Sequence, residues 1–401
     1  VKHLSVRPIR DYCLGIYDGP HATPKDSDDG PIFLGIKNIT EDGRLDFSEI
    51  RHVSENEFSK WTRRVSPQPG DVVFTYEATL HRYAIIPDGF RGCLGRRVAL
   101  IRPDSSLTDS RYLLYFFLSH GWRKVVEGNV ISGATVDRIP LERFPSFPAA
   151  IPSLPVQREV ASILSTYDDL IENNRRRMAL LEESARLLYR EWFVRLRFPG
   201  HEHVRIIDGV PEGWERKNIG SVAEINRQSL TAAHDGEIEY VDISSVTPNH
   251  ITETTTYNFR NAPSRARRIV RHGDIIWSCV RPNRRSHAVI WQPLSNLIAS
   301  TGFAVITPTE LPTSYLYQAT TTDTFVGYLE NHARGAAYPA VVAGDFERAE
   351  IFVPSRILVA SFDELAQPLL AQIHNLRQQN QRLRAARDLL LPRLMSGEIA
   401  V

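Results

Sequence analysis

The sequence predicts an α/β (α+β) fold built twice: two similar mixed α/β domains joined by two long antiparallel helices that form a coiled-coil spacer with pseudo-two-fold symmetry. Three observations predict it. The chain repeats itself about 202 residues apart, each copy ends in a long heptad-patterned segment, and the strand-like runs between are short and bounded by Gly, Pro and Asp. Two similar heads on a common stalk suit the reading of two separated sites on one long ligand better than a single cleft.

The repeat is carried by short motifs. Gly70-Asp71-Val72-Val73-Phe74 returns as Gly273-Asp274-Ile275-Ile276-Trp277, and Leu100-Ile101-Arg102-Pro103 as Val305-Ile306-Thr307-Pro308. Gly133-Ala134-Thr135 returns as Gly335-Ala336-Ala337, and Ile151-Pro152 as Val353-Pro354. The division that follows is a first head over 1–150, a first spacer helix over 151–200, a second head over 201–355 and a second spacer helix over 356–401.

Composition bounds the rest. A length of 401 residues exceeds what one core holds, and an apolar fraction of 42% supplies real cores. Three cysteines, Cys13, Cys93 and Cys279, lie far apart without a C-x-x-C pair, so disulfide frameworks and zinc ribbons are not expected. The apolar run Tyr112 to Leu118 is far too short to span a bilayer, and Arg7, Arg10 and Asp11 interrupt any signal-like start. A cytoplasmic, soluble protein is expected.

In the first head, Ile32 to Ile36, Asp71 to Phe74 and Val98 to Ile101 read as strands, and Tyr112 to Leu118 as a helix. In the second, Ile238 to Asp242, Ile275 to Ser278 and Ala304 to Ile306 read as strands, followed by a helical stretch near Tyr315–Leu329.

The long helices are patterned by sevens. From Gln157 to Trp192 one seam position holds Leu164, Ile171, Met178, Ala185 and Trp192, the other Tyr167, Asn174, Leu181 and Leu188, and Phe198-Pro199-Gly200 ends the run. The second seam is Leu369, Leu376, Leu383 and Leu390 alternating with Ile373, Asn380, Arg387 and Leu394, with Gly397 as the stop. Ser361-Phe362-Asp363-Glu364 reads as its capping box, and Pro368 predicts a kink or a late start. The first helix delivers the chain into the second head and the second leaves it, so paired helices must run antiparallel. Setting Asn174 against Asn380 then pairs Leu164 with Leu390, Ile171 with Leu383, Leu181 with Ile373 and Trp192 with Phe362, a buried polar pair fixing the register. A stalk of about 36 residues is roughly 54 Å long, more than one turn of B-DNA at about 34–36 Å. Ile163, Leu170, Leu180, Leu187 and Val194 lie off the seam, where heads or other subunits would cover them.

The net charge of +1 gives no global signal for nucleic acid, but eight arginines stand between Arg260 and His287 against one acid, Asp274. Arginine without lysine favours forked contact with phosphate or guanine edges.

Several segments together resemble the specificity subunit of type I restriction–modification systems. They are Asp18-Gly19-Pro20-His21-Ala22-Thr23-Pro24, Ile36-Lys37-Asn38-Ile39-Thr40, Leu154-Pro155-Val156-Gln157-Arg158 and Asp168-Asp169-Leu170-Ile171-Glu172-Asn173-Asn174. Glu191-Trp192-Phe193-Val194, Val210-Pro211-Glu212-Gly213-Trp214-Glu215 and Leu390-Leu391-Pro392-Arg393-Leu394-Met395-Ser396-Gly397-Glu398-Ile399 complete the set. The resemblance implies two target-recognition domains, each reading half of a bipartite double-stranded DNA site. It also implies helices that hold two adenine-N6 methyltransferase subunits, joined by translocase–endonuclease subunits for cleavage. S-adenosylmethionine, ATP and magnesium would serve those partners, leaving this chain without a cofactor. One departure is a second helix poor in acidic residues that holds Arg387 in its seam.

Catalytic motifs are missing from the sequence: no phosphate loop, no Asn/Asp-Pro-Pro-aromatic turn, no nucleophile elbow and no metal helix. Asp208 with Glu215-Arg216-Lys217 only echoes a metal-dependent nuclease. A non-catalytic DNA-specificity subunit is therefore the leading expectation. A chain that itself modifies DNA, and a coiled-coil scaffold with protein-binding heads, stand as the alternatives. DNA-contact candidates follow each repeated Gly-Asp strand: Tyr76, His81 and Arg82 in the first head, and Arg281, Asn283, Arg284 and Arg285 in the second. Lys37 with Asn38, and Ser244 with Ser245, occupy matching loop positions after an earlier strand.

Overall fold

The computed structural model describes residues 5–133 and 136–401. Ala134 and Thr135 of the third repeat motif lie outside the described residues. The chain divides into two compact units, Val1–Asn173 with Gln379–Val401, and Asn174–Gln378.

The first unit is built on strands β1 (Cys13–Asp18), β2 (Ser27–Leu34), β3 (Arg51–His52), β4 (Val72–Thr75), β5 (Tyr83–Ile85), β6 (Gly92–Leu94) and β7 (Val98–Pro103). One antiparallel sheet has the order β1-β7-β4-β5, and a second has β3-β2-β6 with β2 and β6 parallel. Helices α1 (Ser110–Leu118) and α2 (His120–Glu127) follow. The Asp109 carboxylate caps α1 by accepting from the Tyr112 amide, which starts the helix two residues earlier than the apolar run suggests.

The second unit repeats this wiring. Its strands are β8 (Ala223–Ile225), β9 (Glu237–Val241), β10 (Thr255–Asn258), β11 (Ala266–Ile269), β12 (Ile275–Ser278), β13 (His287–Val289), β14 (Leu297–Ser300) and β15 (Phe303–Pro308). The sheet β8-β15-β12-β13 matches β1-β7-β4-β5 strand for strand, and β10-β9-β14 matches β3-β2-β6, with β11 added at the edge. Here the helical stretch is broken in two. Thr322 caps a fresh helix by accepting from the Phe325 amide, so Thr313–Ala319 and Asp323–His332 are separate. Each unit is closed by a ladder between its two ends, Val6–Pro8 against Pro148–Ala150 and Glu215–Asn218 against Glu350–Val353.

The repeated Gly-Asp motif has a physical reason. Gly70 and Gly273 sit at φ 86° and 88°, a left-handed turn that favours glycine. The following aspartate closes the turn: Asp71 accepts from the Gln68 amide at 2.8 Å and Asp274 from the Arg271 amide at 2.7 Å. Asp71 is further neutralised by a forked contact from Arg102, whereas Asp274 faces Thr307 and its pKa is raised by burial. The apolar run after it is unbroken because both sheet faces are covered. Val72 and Phe74 enter one core with α1 and α2 while Val73 enters the other, and Ile275, Trp277 and Ile276 divide in the same way.

The long helices are α3 (Leu154–Tyr189), continued by a wider turn over Arg190–Val194, and α6 (Arg356–Met395), the sixth of those labelled once Thr313–Ala319 and Asp323–His332 are counted as α4 and α5. The expected start of α6 is corrected. Ser361 lies inside the helix, and Ser355 caps it instead, its carbonyl accepting from the Val359 amide at 3.0 Å and its hydroxyl from the Leu358 amide at 3.4 Å. Pro368 does not delay the helix but sits within it.

All seam residues are buried or half-buried: Leu164, Ile171, Asn174, Met178, Leu181, Ala185, Leu188 and Trp192 on α3, and Leu369, Ile373, Leu376, Asn380, Leu383, Arg387, Leu390 and Leu394 on α6. Within the first unit Leu390 and Leu394 join the core that holds Leu164, Arg387 pairs with Asp168, and the Asn380 amide donates to the Ile171 carbonyl at 3.2 Å. Within the second, Arg377 meets Glu182 and the Trp192 and Phe362 rings lie 6.0 Å apart. In each unit rising numbers on one helix meet falling numbers on the other, so the segments run antiparallel.

Arg387, the seam's odd residue, is explained by its partners. Its guanidinium pairs with the Asp168 carboxylate, which also accepts from the Tyr115 hydroxyl of α1 at 2.5 Å. Gln157 makes a second clamp, accepting from the Asp109 amide and donating to the Leu107 and Pro152 carbonyls at 2.8–2.9 Å.

Candidate nucleic-acid interface

In each unit the loop after the central strand is crossed by a later loop. In the second unit, residues 279–286 leave β12 and are held by residues 334–341: the Arg281 amide donates to the Pro339 carbonyl at 2.7 Å and the Val341 amide to the Cys279 carbonyl at 2.9 Å. Arg334 and Ala340 close the later loop with paired backbone bonds of 2.8 and 2.9 Å. In the first unit the Ala78 amide donates to the Asp137 carbonyl at 3.0 Å, and Ile131 and Arg138 close the corresponding loop. Two residues in each front loop adopt the left-handed region, Ala78 and His81, and Arg281 and Arg285. Such residues tighten a turn at a cost in strain.

The second unit's front loop gathers its four candidates. Asn283 and Arg284 are exposed, and Pro282 anchors the turn between them and Arg281 by being buried. Arg285 pairs with Asp323 at the start of α5. The Arg281 guanidinium lies 4.6 Å from the Tyr338 ring centroid and donates to the Ala337 carbonyl at 3.3 Å. The arginine-rich stretch is thereby divided. Arg260 pairs with Asp235, exposed Arg265 stands near Asp242, Arg267 covers Phe259, Arg268 donates to Ser229 and Arg271 to Gln228, which leaves Arg281, Arg284 and Arg285 on the loop.

The first unit treats its candidates differently. Arg82 reaches back to the Ile39 carbonyl at 3.4 Å and to Glu41, so loop 76–82 meets the turn that carries Lys37. Lys37 is exposed, with its ammonium 3.8 Å from Glu49. Asn38, also a candidate DNA contact, lies in the same turn. It is buried, accepts from the Gly35 amide at 3.0 Å, and donates to the Asp46 and Glu49 carbonyls, so its amide staples the turn. Tyr76 is buried as well: it is 5% exposed and lines a cavity of about 440 Å³ with Asp18, His21, Glu77 and Arg138. Its hydroxyl has no partner among the described residues, and burial first, then Asp18 and Glu77, pushes its pKa up to about 12. His81 is half-buried, and burial followed by the nearby Arg123 lowers its pKa.

After β9, Ser244 is exposed and its hydroxyl donates to the Asp242 carboxylate at 2.9 Å. Ser245 is buried, and its backbone closes the turn to Asp242 and to Thr252. The residues the sequence reading passed over are Arg334 and Tyr338. The signal was present: the repeated Gly133 and Gly335 mark the crossing loop in both heads.

On α3, Ile163 packs into the first unit's core, whereas Leu170, Leu180, Leu187 and, beyond its end, Val194 are exposed at 46%, 67%, 41% and 58%. Within the second unit Leu180, Leu187 and Val194 are apolar positions that neither seam nor core uses, as Leu170 is within the first. Among the described residues no group of three or more His, Cys, Asp or Glu is placed to hold a metal, and no helix is long and apolar enough to cross a membrane. Lys217 of the nuclease-like echo is tied to Glu215 and Glu310 on a closing ladder.

Residues 33–183 match the family model of the type I restriction modification DNA specificity domain. The chain is 24% identical over 361 residues to the type I restriction enzyme MjaIX specificity subunit of Methanocaldococcus jannaschii, covering 88% of this chain and 82% of the relative. It is 22% identical over 227 residues to the putative MjaX specificity subunit of the same organism, covering 54% and 52%. Among solved structures, the type I restriction–modification S subunit from M. genitalium superposes with a TM-score of 0.56 at 15% identity, covering 98% of this chain and 97% of that one. The resemblance read from the motifs is thus found again by family, by relatives and by fold.

Proposed function

We propose, from this kinship with type I restriction–modification specificity subunits, that the chain selects the DNA site of such a system and leaves the chemistry to its partners. Each unit reads one half of a bipartite duplex. The observation that carries this is the doubled construction: two units with the same sheet order each present the same pair of crossing loops beside the same Gly-Asp strand. A single catalytic cleft gives no reason to build that arrangement twice.

Exposed apolar positions within each unit, Leu170 in the first and Leu180, Leu187 and Val194 in the second, are where methyltransferase subunits dock, and translocase–endonuclease subunits join that assembly. S-adenosylmethionine, ATP and magnesium belong to those subunits, and this chain needs no cofactor. The test is duplex binding by the purified chain as salt is raised, alone and with a methyltransferase subunit that assembles with it. Affinity falls steeply with salt because phosphate contacts release counterions, and it becomes tight and site-specific only in the assembly. Absence of duplex affinity in both states would contradict the proposal.

A further inference from the structure

The crossing loops of the two units share a backbone plan but differ in what they display. Gly133 approaches the Val136 carbonyl in the first unit as Gly335 approaches the Tyr338 carbonyl in the second, so Val136 and Tyr338 hold the same place. Ala78 and Arg281 correspond too, each left-handed and each donating its amide across to the other loop. Where the first unit has alanine and valine, the second has arginine and tyrosine.

Tyr338 is 69% exposed, an unusual place for a ring that no core needs. Its contact is the Arg281 guanidinium at 4.6 Å, and Arg281 spends one further donor on the Ala337 carbonyl. An arginine has five donors in a planar fork, so most of this one stays available. The neighbouring acids are committed elsewhere, Asp323 to Arg285 and the buried Asp345 to Arg348 and Arg334. Exposed Asn283 and Arg284 stand alongside. The result is a positive surface with a planar cation held against a ring on a doubly tied backbone.

We propose that Arg281 and Tyr338 act as one base-reading element, in which Arg281 forks onto O6 and N7 of a guanine in the half-site read by the second unit and Tyr338 fixes the guanidinium plane. This rests on the DNA-reading function proposed above and deepens it. The ring removes rotamer freedom that a free arginine would lose on binding, so preorganisation sharpens the choice of base.

The experiment expresses the full chain with a methyltransferase subunit that assembles with it, in a host free of adenine methylation, and reads the methylated motif by single-molecule sequencing. The unaltered chain gives a bipartite motif. Arg281→Ala and Arg281→Lys reduce the preference at one G·C position of one half from roughly 10–100-fold to a few-fold, since a lysine brings a point charge without the rigid planar fork that stacks on the ring. Tyr338→Ala weakens the same position and Tyr338→Phe keeps it. An unchanged motif in Arg281→Ala, a change in the other half, a Tyr338→Ala effect at a different position, or loss of all methylation in all four variants would each overturn the inference while leaving the specificity function standing. Failure of the unaltered chain to direct a sequence-restricted pattern would instead overturn that function, and this element with it.

Discussion

Arg377 on α6 donates to the Glu182 carboxylate on α3 at 2.8 Å, and that carboxylate begins a polar chain. Its other oxygen accepts from the Asn249 amide at 3.3 Å, the Asn249 oxygen accepts from the Tyr317 hydroxyl at 2.5 Å, and the Tyr317 oxygen lies 3.1 Å from Nδ1 of His287. His287 opens β13, directly after the loop that carries Arg281 to Arg285. The long helices and the 279–286 loop of the second unit are thus tied through one part-buried network.

Removing Arg377 leaves the Glu182 carboxylate half-buried without its counter-charge, and burial already raises the Glu182 pKa. Arg377→Met is expected to cost about 1–3 kcal/mol, below the loss for a fully buried pair because water still reaches both groups. Adding Glu182→Leu recovers much of it. Urea unfolding of the single and double variants measures both, and equal losses in the two would contradict the pairing.

The His287 pKa is lowered to about 3, first by burial and then by Arg285. Because Tyr317 donates to Asn249, Nδ1 of the neutral ring carries the proton and donates to the Tyr317 oxygen. In the unfolded chain the ring titrates near 6.5 and so binds more protons below that pH. Stability therefore falls as pH drops from about 6.5 toward 3, by about 1.4 kcal/mol per unit of lowering at the limit. In His287→Gln this part of the slope disappears. Thermal unfolding of both proteins between pH 7 and pH 5 checks it, and an identical slope would sink the assignment.

Asn38→Ala removes three hydrogen bonds that staple the turn after β2 and leaves two carbonyls and an amide to find new partners. The expected loss is about 1–3 kcal/mol. A base-reading asparagine would behave differently, altering the recognised sequence with stability unchanged.

Pro368 stands exposed, well inside α6, where it removes a backbone donor. Pro368→Ala is expected to raise stability by about 1–3 kcal/mol. Denaturation midpoints decide, and a loss on substitution would mean that the proline shapes the helix in a way its neighbours depend on.

Period and repetition were legible in the residues. The heptads of α3 and α6 and the Gly-Asp strands are local patterns, and each names its own partner face. The start of α6 was harder, since Ser361 and Ser355 both precede acceptable helix and only the docking of Phe362 into the second core chooses between them. Asn38, Tyr76 and Ser245 occupy loop positions like those of readers, yet Asn38 and Ser245 close turns and Tyr76 is buried at a cavity, tertiary facts with no local mark. Tyr338 escaped for the opposite reason: aromatic residues are usually core, and its exposure depends on a loop crossing from more than fifty residues away.

The central claim is that two homologous modules each specify half of one DNA site. Replacing residues 201–355 with the corresponding head of another specificity subunit, then sequencing the methylated motif, tests it most directly. The account predicts that one half-site changes to that of the donor head while the other is kept. A motif altered in both halves, or in neither, would contradict it.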